Sequence, residues 1–394
     1  MQQYSLYLHI PFCQKRCSYC DFTTYAGQEE RIPAYLSALL REITSVGGSA
    51  PAKIQAHTLF FGGGTPSLLS VEQYETILKT IEDVYDLQPG LEVTLEANPG
   101  TVSRSYLQSL KKLLFNRISF GMQTSDPVEL ALLGRIHDFF DVIQAVKWAR
   151  QAGFEQVNLD LIFGLPFQSL GTWQASVEAA LRLNPEHLSL YALTVEHSTP
   201  LSKWVGRGLV PPLDEDLAAD MYEWASERLD KAGFVQYEIS NWARKDNYGN
   251  LLACRHNLQY WRNLPYLGFG AGAHGYAAGY RLADVMHIKS YIERLAQHKQ
   301  PSFPFSPATG HSDRVDQVTE MEETMMVGLR LTQEGVSRRS FEQRFGIPVE
   351  KVFDKEIDQM VRAGLLEAGE ILRLTTHGRL LGNQVFMQFV GTRS

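Results

Sequence analysis

The sequence has few features of a secreted, membrane-spanning or nucleic-acid-binding protein. Only four of its 394 residues are cysteine, too few for a disulfide framework, so we expect a reducing, cytoplasmic environment. The net charge of −7 argues against nucleic acid as a partner. No apolar run is long enough to span a bilayer, and the N-terminus lacks a signal-peptide pattern. Peripheral contact with a membrane stays open, and the oligomeric state cannot be read from the sequence.

Strand-like and helix-like segments alternate through the first half of the chain. This alternation predicts parallel pairing of the strands. Six strand–helix units favour an α/β fold built on an open, partial (β/α)6 barrel of the TIM type, and a flat doubly wound sheet is the alternative. The predicted strands are Ser5–Ile10, Thr58–Phe61, Leu91–Glu96, Arg117–Met122, Gln156–Ile162 and His187–Ala192.

The pattern changes after about residue 235, and we divide the chain into three regions. Residues 1-235 form the predicted barrel. Residues 236-313 are predicted to be an irregular extension rich in glycine and aromatics, followed by a proline-containing linker. Residues 314-394 have the helix–helix–wing pattern of a small winged-helix-like α+β module. Basic and acidic side chains nearly balance in this module, so we expect a packing or partner surface rather than a DNA reader.

Three of the four cysteines, Cys13, Cys17 and Cys20, follow the first predicted strand. Three thiolates at this spacing suit a [4Fe–4S] cluster whose fourth iron has no protein ligand. A structural zinc site usually needs four ligands, with His9 as a candidate for the fourth. A group of reactive or structural thiols is the remaining alternative. We favour the iron–sulfur interpretation because the set is thiolate-only and lacks a clear fourth ligand.

A glycine-rich turn follows the second predicted strand in the string FFGGGTP. Glycines allow the backbone to approach a ligand closely, although a tight turn also needs glycine. The position of this turn at the carboxyl end of a parallel strand strengthens the binding interpretation, because ligands collect at that end.

Polar residues also lie near the ends of later strands, and strand alternation places Glu96, Gln123 and Asp160 on one interior face. A buried carboxylate is costly unless a partner compensates it. A purely structural explanation of these buried carboxylates is an internal salt bridge, for which Arg135 is a candidate partner. The functional explanation is a bound ligand that carries ammonium and hydroxyl groups.

Together these elements resemble the radical S-adenosylmethionine (SAM) family, whose Cys-x3-Cys-x2-Cys motif matches the three clustered cysteines. The resemblance implies that SAM chelates the open iron and that electron transfer can cleave it to a 5′-deoxyadenosyl radical. It also assigns the glycine-rich turn, here Gly63, Gly64 and Thr65, to the methionine part of SAM.

A closer resemblance, covering nearly the whole chain, is to the coproporphyrinogen dehydrogenase group within that family. It rests on the strings HIPFC, LEANP, SFGMQ, LGRIHD and NLDLIFGLP. The resemblance implies SAM contacts for the residues that match these motifs and for one tyrosine on the first strand. These residues are Tyr7, Glu96, Gln123, Arg135 and Asp160.

Two departures separate this chain from the decarboxylating enzyme of the group. That enzyme has a fourth cysteine where this chain has Phe22, and a longer segment before the cluster. Both departures, and the string HNLQYW that begins at His256, resemble a heme-chaperone branch of the group. His256 is therefore a candidate heme contact, although such a His–aromatic cluster is more often a core hydrogen-bonding feature. Cys254 is a second candidate, with a buried inert thiol as the alternative.

The resemblance thus implies a heme chaperone that binds heme and a SAM-ligated cluster and passes heme to acceptor proteins. The alternative is an oxygen-independent coproporphyrinogen III dehydrogenase, a radical SAM decarboxylase, with Tyr7 near the SAM. A radical SAM enzyme acting on another substrate is a third reading. We predict that dehydrogenase activity is absent, while SAM cleavage stays open.

Overall fold

The computed structural model describes residues 3–297 and 301–391. Each of the three predicted regions includes a few residues that lie outside the described ones: residues 1–2, 298–300 and 392–394. The main feature of the fold is one sheet of twelve strands. In chain order its strands are β1 Tyr4–Ile10, β2 Gln55–Gly63, β3 Asp86–Ala97, β4 Arg117–Gln123, β5 Gln156–Phe163, β6 His187–Ala192, β7 Val235–Glu238, β8 Asn241–Ala243, β9 Tyr266–Phe269, β10 His274–Ala277, β11 Tyr280–Asp284 and β12 Thr309–Arg314.

The spatial order of the strands is β12-β11-β10-β9-β1-β2-β3-β4-β5-β6-β8-β7. Strands β1 to β6 are parallel to one another, as predicted, and β9 adds a parallel strand on the open side of β1. The remaining strands pair antiparallel at both ends of the sheet. Within the described residues the two end strands β12 and β7 are not neighbours, so the prediction of an open barrel is confirmed.

Helices connect the parallel strands and pack on the outside of the sheet. Their boundaries have local causes: Ser70, for example, caps α2 in a reciprocal capping box with Gln73. In chain order the helices are α1 Ile32–Gly48, α2 Val71–Val84, α3 Arg104–Lys112, α4 Pro127–Leu132, α5 Phe139–Ala152, α6 Leu170–Arg182, α7 Pro200–Gly206, α8 Glu215–Lys231, α9 Arg255–Trp261, α10 Ile288–Leu295, α11 Gln317–Gly328, α12 Arg338–Phe345, α13 Val349–Arg362, α14 Thr376–Leu380 and α15 Gly382–Phe386.

The barrel strands have two differently filled faces. Val93 and Leu95 of β3 point outward into the main hydrophobic core beneath the helices. Between them, Glu92 and Thr94 are buried polar residues on the interior face. A polar interior is costly unless hydrogen bonds satisfy it. This alternation therefore marks the interior of the barrel as a place for polar contacts or ligands.

The C-terminal residues pack around a second hydrophobic core that runs from Met321 to Phe389. Its helices α12 and α13 are followed by the hairpin of β14 Leu366–Ala368 and β15 Ile371–Leu374, which lies beside the two-residue strand β13 Val336–Ser337. This is the helix–helix–wing order expected from the sequence. The division into regions at residues 235 and 313 stays a prediction.

One local expectation was wrong, and it concerns the chain after residue 235. Strands β7 and β8 form a hairpin there, in whose turn the Glu238 carboxylate accepts the Ser240 N–H at 2.9 Å. The segment predicted to be irregular contains α9 and the strands β9 and β10. Its glycines and aromatics obscured these short elements in the sequence.

Candidate functional site at the carboxyl ends of the strands

The three clustered cysteines lie in the loop that leaves β1. A two-residue bridge between Phe12–Cys13 and Tyr25–Ala26 closes the base of this loop. Their polar neighbours are Thr65 Oγ1 for Cys13 at 3.6 Å, Arg135 Nη1 for Cys17 at 3.4 Å and Thr24 Oγ1 for Cys20 at 3.8 Å. The glycine-rich turn and the rim arginine, far apart in sequence, thus meet at the cysteine loop.

The electrostatics of the loop connect the cysteines to one another. Burial raises the pKa of Cys13 and of Cys20, and the charge of neighbouring thiolates raises both further. In the described part of the chain, no three His, Cys, Asp or Glu side chains are gathered closely enough to hold one metal ion. Three thiols that share one loop suit a cluster in which each thiolate binds a different iron.

His9 was the candidate fourth ligand of the zinc interpretation. Its Nε2 lies 2.8 Å from the Thr23 carbonyl oxygen, and its Nδ1 lies 3.0 Å from the Tyr7 hydroxyl. Burial lowers the pKa of His9, so the ring is neutral and braces the cysteine loop against β1. Both nitrogens are therefore engaged, and the zinc interpretation loses its fourth ligand.

The glycine-rich turn is fastened to the start of the cysteine loop. The N–H of Gly64 donates to the Ile10 carbonyl at 2.8 Å, and the N–H of Thr65 donates to the Phe12 carbonyl at 2.8 Å. Gly63 has φ +111°, and a Cβ atom there would lie 2.5 Å from the His9 ring. Glycine is thus required, and the turn and the cysteine loop form one unit.

Glu96 ends β3 beside this turn. Its Oε2 accepts the Gly63 N–H at 3.2 Å. Burial raises the pKa of Glu96 to about 8, and the charge of Asp160 adds to the shift, while the Gly63 hydrogen bond opposes it. Glu96 is therefore largely protonated at neutral pH until a cation or a donor approaches it.

Asp160 on β5 is held by two donors from the interior face. Ser119 Oγ donates to Oδ2 at 2.6 Å and Asn158 Nδ2 donates to Oδ1 at 2.8 Å. Burial nevertheless raises the pKa of Asp160, because these hydrogen bonds offset the lost hydration only in part. The carboxylate is thus fixed in orientation, with lone pairs free for a ligand hydroxyl.

Arg135 and Gln123 meet above Gly121 of β4. Arg135 Nη2 donates to the Gly121 carbonyl at 3.0 Å, and Gln123 adopts a positive φ of +65°. These contacts and the one with Cys17, rather than a salt bridge with a carboxylate, occupy the guanidinium. Its Nε is buried without a hydrogen-bond partner among the described residues. The site therefore holds an unused positive donor beside the cysteine loop, as an anionic cluster requires.

Tyr7 lies below these groups on the interior face of β1. Burial raises the pKa of its hydroxyl, and the charge of Glu96 raises it further. The structure thus brings Tyr7, the glycine-rich turn, the cysteine loop and the rim residues of β3, β4 and β5 together.

His256 is the one predicted site residue that does not lie at the rim with the others. It is 1% exposed and lies in α9 beside Thr58 and Phe60 of β2, several residues before the glycine-rich turn. Cys254 next to it is 3% exposed, and its Sγ donates to Glu92 at 3.6 Å. Burial raises the pKa of Cys254 to about 12, so its thiol is protonated, as the inert-thiol alternative predicts.

Sequence reasoning missed several supporting residues. Ser119 and Asn158 share the interior face with Asp160, and their hydrogen bonds to it were not anticipated. Pairing the polar positions of adjacent strands could have found them. The bond from Thr65 to Cys13 and the anchoring of His9 on Thr23 depend on loop geometry, for which the sequence carries no signal.

Comparisons with known proteins agree with this geometry. The family model of the radical SAM superfamily matches residues 7–180, and that of the HemN C-terminal domain matches residues 315–381. The chain is 38% identical over 392 residues to the heme chaperone HemW of Bacillus subtilis, covering 98% of this chain and 99% of that protein. The chain belongs to the HemW family. The HemW of Escherichia coli is 35% identical, with 98% of each chain covered.

The HemW family fold can also be compared with a solved structure. The coproporphyrinogen III oxidase HemN of Escherichia coli, described as a radical SAM enzyme, superposes with a TM-score of 0.84 at 21% identity, covering 100% of this chain and 91% of that one. This likeness shows a common fold. In the described part of this HemW-family chain, none of the helices has the length and apolar character needed to cross a bilayer.

Proposed function

We propose that this protein is a heme chaperone that carries a SAM-ligated [4Fe–4S] cluster and passes heme to acceptor proteins. The observation that carries the proposal is the end-to-end identity with proteins named heme chaperone HemW, at 38% for the Bacillus subtilis relative. The free thiols of the cysteine loop suit a reducing cytoplasm, where we place the protein.

Three thiolates would hold the cluster: Cys13, Cys17 and Cys20. A cluster held in this way would supply the electron for reductive chemistry on SAM. Arg135 offsets negative charge beside Cys17, and Thr65 donates to the Cys13 sulfur. Hydrogen bonds to sulfur tune the reduction potential of such clusters.

The rim residues would hold SAM. Glu96, once ionised, would accept from the ammonium group, and the fixed carboxylate of Asp160 would accept from a ribose hydroxyl. Gly63 and Gly64 would leave room for the methionine chain, and Tyr7 and Gln123 would line the interior. This assignment is supported by the common location of the groups. It is also supported by the buried Nε of Arg135, which has no hydrogen-bond partner among the described residues.

The test is a heme titration of the anaerobically reconstituted protein, followed by transfer to an apo-hemoprotein. We expect one heme per chain and transfer that depends on the chaperone. A parallel incubation with coproporphyrinogen III, SAM and reductant should give no protoporphyrinogen, because exposed Phe22 stands where the decarboxylase has its additional cysteine. Multiple turnovers to protoporphyrinogen without retained heme would refute the proposal and favour the dehydrogenase.

A further inference from the structure

The interior of the barrel is built in layers beneath the glycine-rich turn. Strand register pairs Ser5 with Thr58, Tyr7 with Phe60, and His9 with Gly62. These pairs form the bottom, middle and top layers of one wall. Because alternate residues of a barrel strand fill its interior, a group that fixes the bottom layer can influence the top one.

His256 fixes the bottom layer. Its Nδ1 lies 2.7 Å from Thr58 Oγ1, which itself donates to Ser5 at 2.6 Å. Thr58 must therefore accept from Nδ1–H, and this assigns the proton to Nδ1. Nε2, at 2.8 Å from the Tyr260 hydroxyl, then accepts from that hydroxyl. Neither ring nitrogen has a lone pair left for iron.

Stacked rings connect His256 to the middle layer. The Phe60 ring is stacked on His256, with centroids 4.9 Å apart, and Tyr7 is stacked on Phe60 at 6.1 Å. The interplanar angle is 28° in both pairs. Tyr7 and His256 are also neighbours, with centroids 6.4 Å apart, so the three rings form a compact cluster. A ring in such a cluster cannot shift without disturbing the other two, since packed interiors leave few voids.

The ring cluster lies against the proposed SAM site. A Cβ atom at Gly62 would lie 3.0 Å from each of Glu96 Oε2, the Phe60 ring and the Tyr7 ring. The three side chains thus converge on one backbone position. Glu96 also accepts the N–H of Gly63. A shift of Phe60 or Tyr7 would therefore change the space beside Gly62 that Glu96 shares with them.

We propose that His256 is a positioning residue for the SAM pocket, holding Phe60 and Tyr7 against Gly62 and Glu96, and that it is not a ligand of heme iron. This inference rests on the SAM site assigned above. It places the heme contacts elsewhere on the molecule. The helix that carries the HNLQYW string then supports the SAM pocket.

The test compares His256→Leu with His256→Asn, whose amide keeps a donor toward Thr58. SAM affinity is measured by calorimetry on protein of equal iron content, and heme is followed by its absorption spectrum. His256→Leu should weaken SAM about tenfold, and His256→Asn should recover most of that loss. Both variants should keep the parent heme stoichiometry and spectrum.

The opposite outcome is a changed heme spectrum in both variants with SAM affinity equal to that of the parent, which overturns the inference. If His256→Leu does not fold, Tyr260→Phe serves instead, because it removes only the hydroxyl that donates to Nε2. It should weaken SAM about threefold without altering the heme spectrum, and unchanged SAM affinity refutes the positioning role. Failure of the parent protein to bind SAM would refute the proposed SAM site itself.

Discussion

The raised pKa of Glu96 predicts that SAM binding is coupled to proton release. In the SAM-free protein this carboxyl has a pKa of about 8, mainly through burial. Binding of an ammonium group favours the ionised form, so the bound state holds one proton fewer. Below pH 8 the protein must therefore release close to one proton for each SAM bound.

The size of the effect follows from the fraction of Glu96 already ionised. With a pKa of about 8, about 1% of the carboxyl is ionised at pH 6 and about half at pH 8. SAM affinity should thus rise by about fiftyfold between these values and level off above them. Stability of the SAM-free protein should change in the opposite direction. The protonated carboxyl contributes stability that is fully present below about pH 4.5 and is lost as the pH rises through about 8.

The assay is isothermal titration calorimetry of the reconstituted protein at pH 6, 7 and 8. At each pH, two buffers with different ionisation enthalpies report the number of protons released. The control is Glu96→Gln, which keeps the size of the side chain and removes its titration. Because the amine of SAM also titrates, the informative quantity is the difference between parent and variant. Parallel pH profiles, or no difference in proton release, would refute the reasoning.

Three further predictions concern the cluster, the ligand and the fold. Replacing all three clustered cysteines with Ala should abolish cluster absorption, whereas Cys254→Ala should keep about four irons per chain; equal iron in both would contradict the cluster site. Asp160→Ala should weaken SAM by about 1.5–3 kcal/mol in calorimetry, and the exposed-site control Glu82→Gln should not; equal affinities would exclude the ribose contact. Arg117→Met removes the buried partner of Glu92 at 3.7 Å and leaves the more exposed Arg255 at 4.0 Å. In urea it should lose about 3 kcal/mol, the low end of the cost of breaking a buried pair, because Arg255 still offsets part of the charge; a loss below about 1 kcal/mol would contradict this.

Strand alternation made much of the site predictable. It placed Asp160 and Ser119 on the same face, and the structure joins them by a hydrogen bond of 2.6 Å. The parallel order of the strands followed from the alternation with helices, so the carboxyl ends were expected to meet at one rim. What could be predicted is thus what depends on local periodicity and on chain direction.

Contacts between distant segments could not be predicted in this way. The partner of His256 is Thr58, 198 positions away, and nothing in either local pattern points to the other. The alternative of an internal salt bridge paired the guanidinium of Arg135 with a carboxylate, yet it lies beside Cys17. Such contacts depend on how loops cross in three dimensions, and charge alone does not select the partner.

The placement of β1 in the sheet has a consequence for how the protein can be divided. This strand carries the cysteine loop and is paired on one side with β2 and on the other with β9, which begins at Tyr266. A fragment that ends near residue 235 would therefore expose the backbone of β1 as a sheet edge prone to aggregation. A minimal cofactor-binding protein made from this chain would have to retain β9, either in place or by circular permutation that joins it ahead of β1.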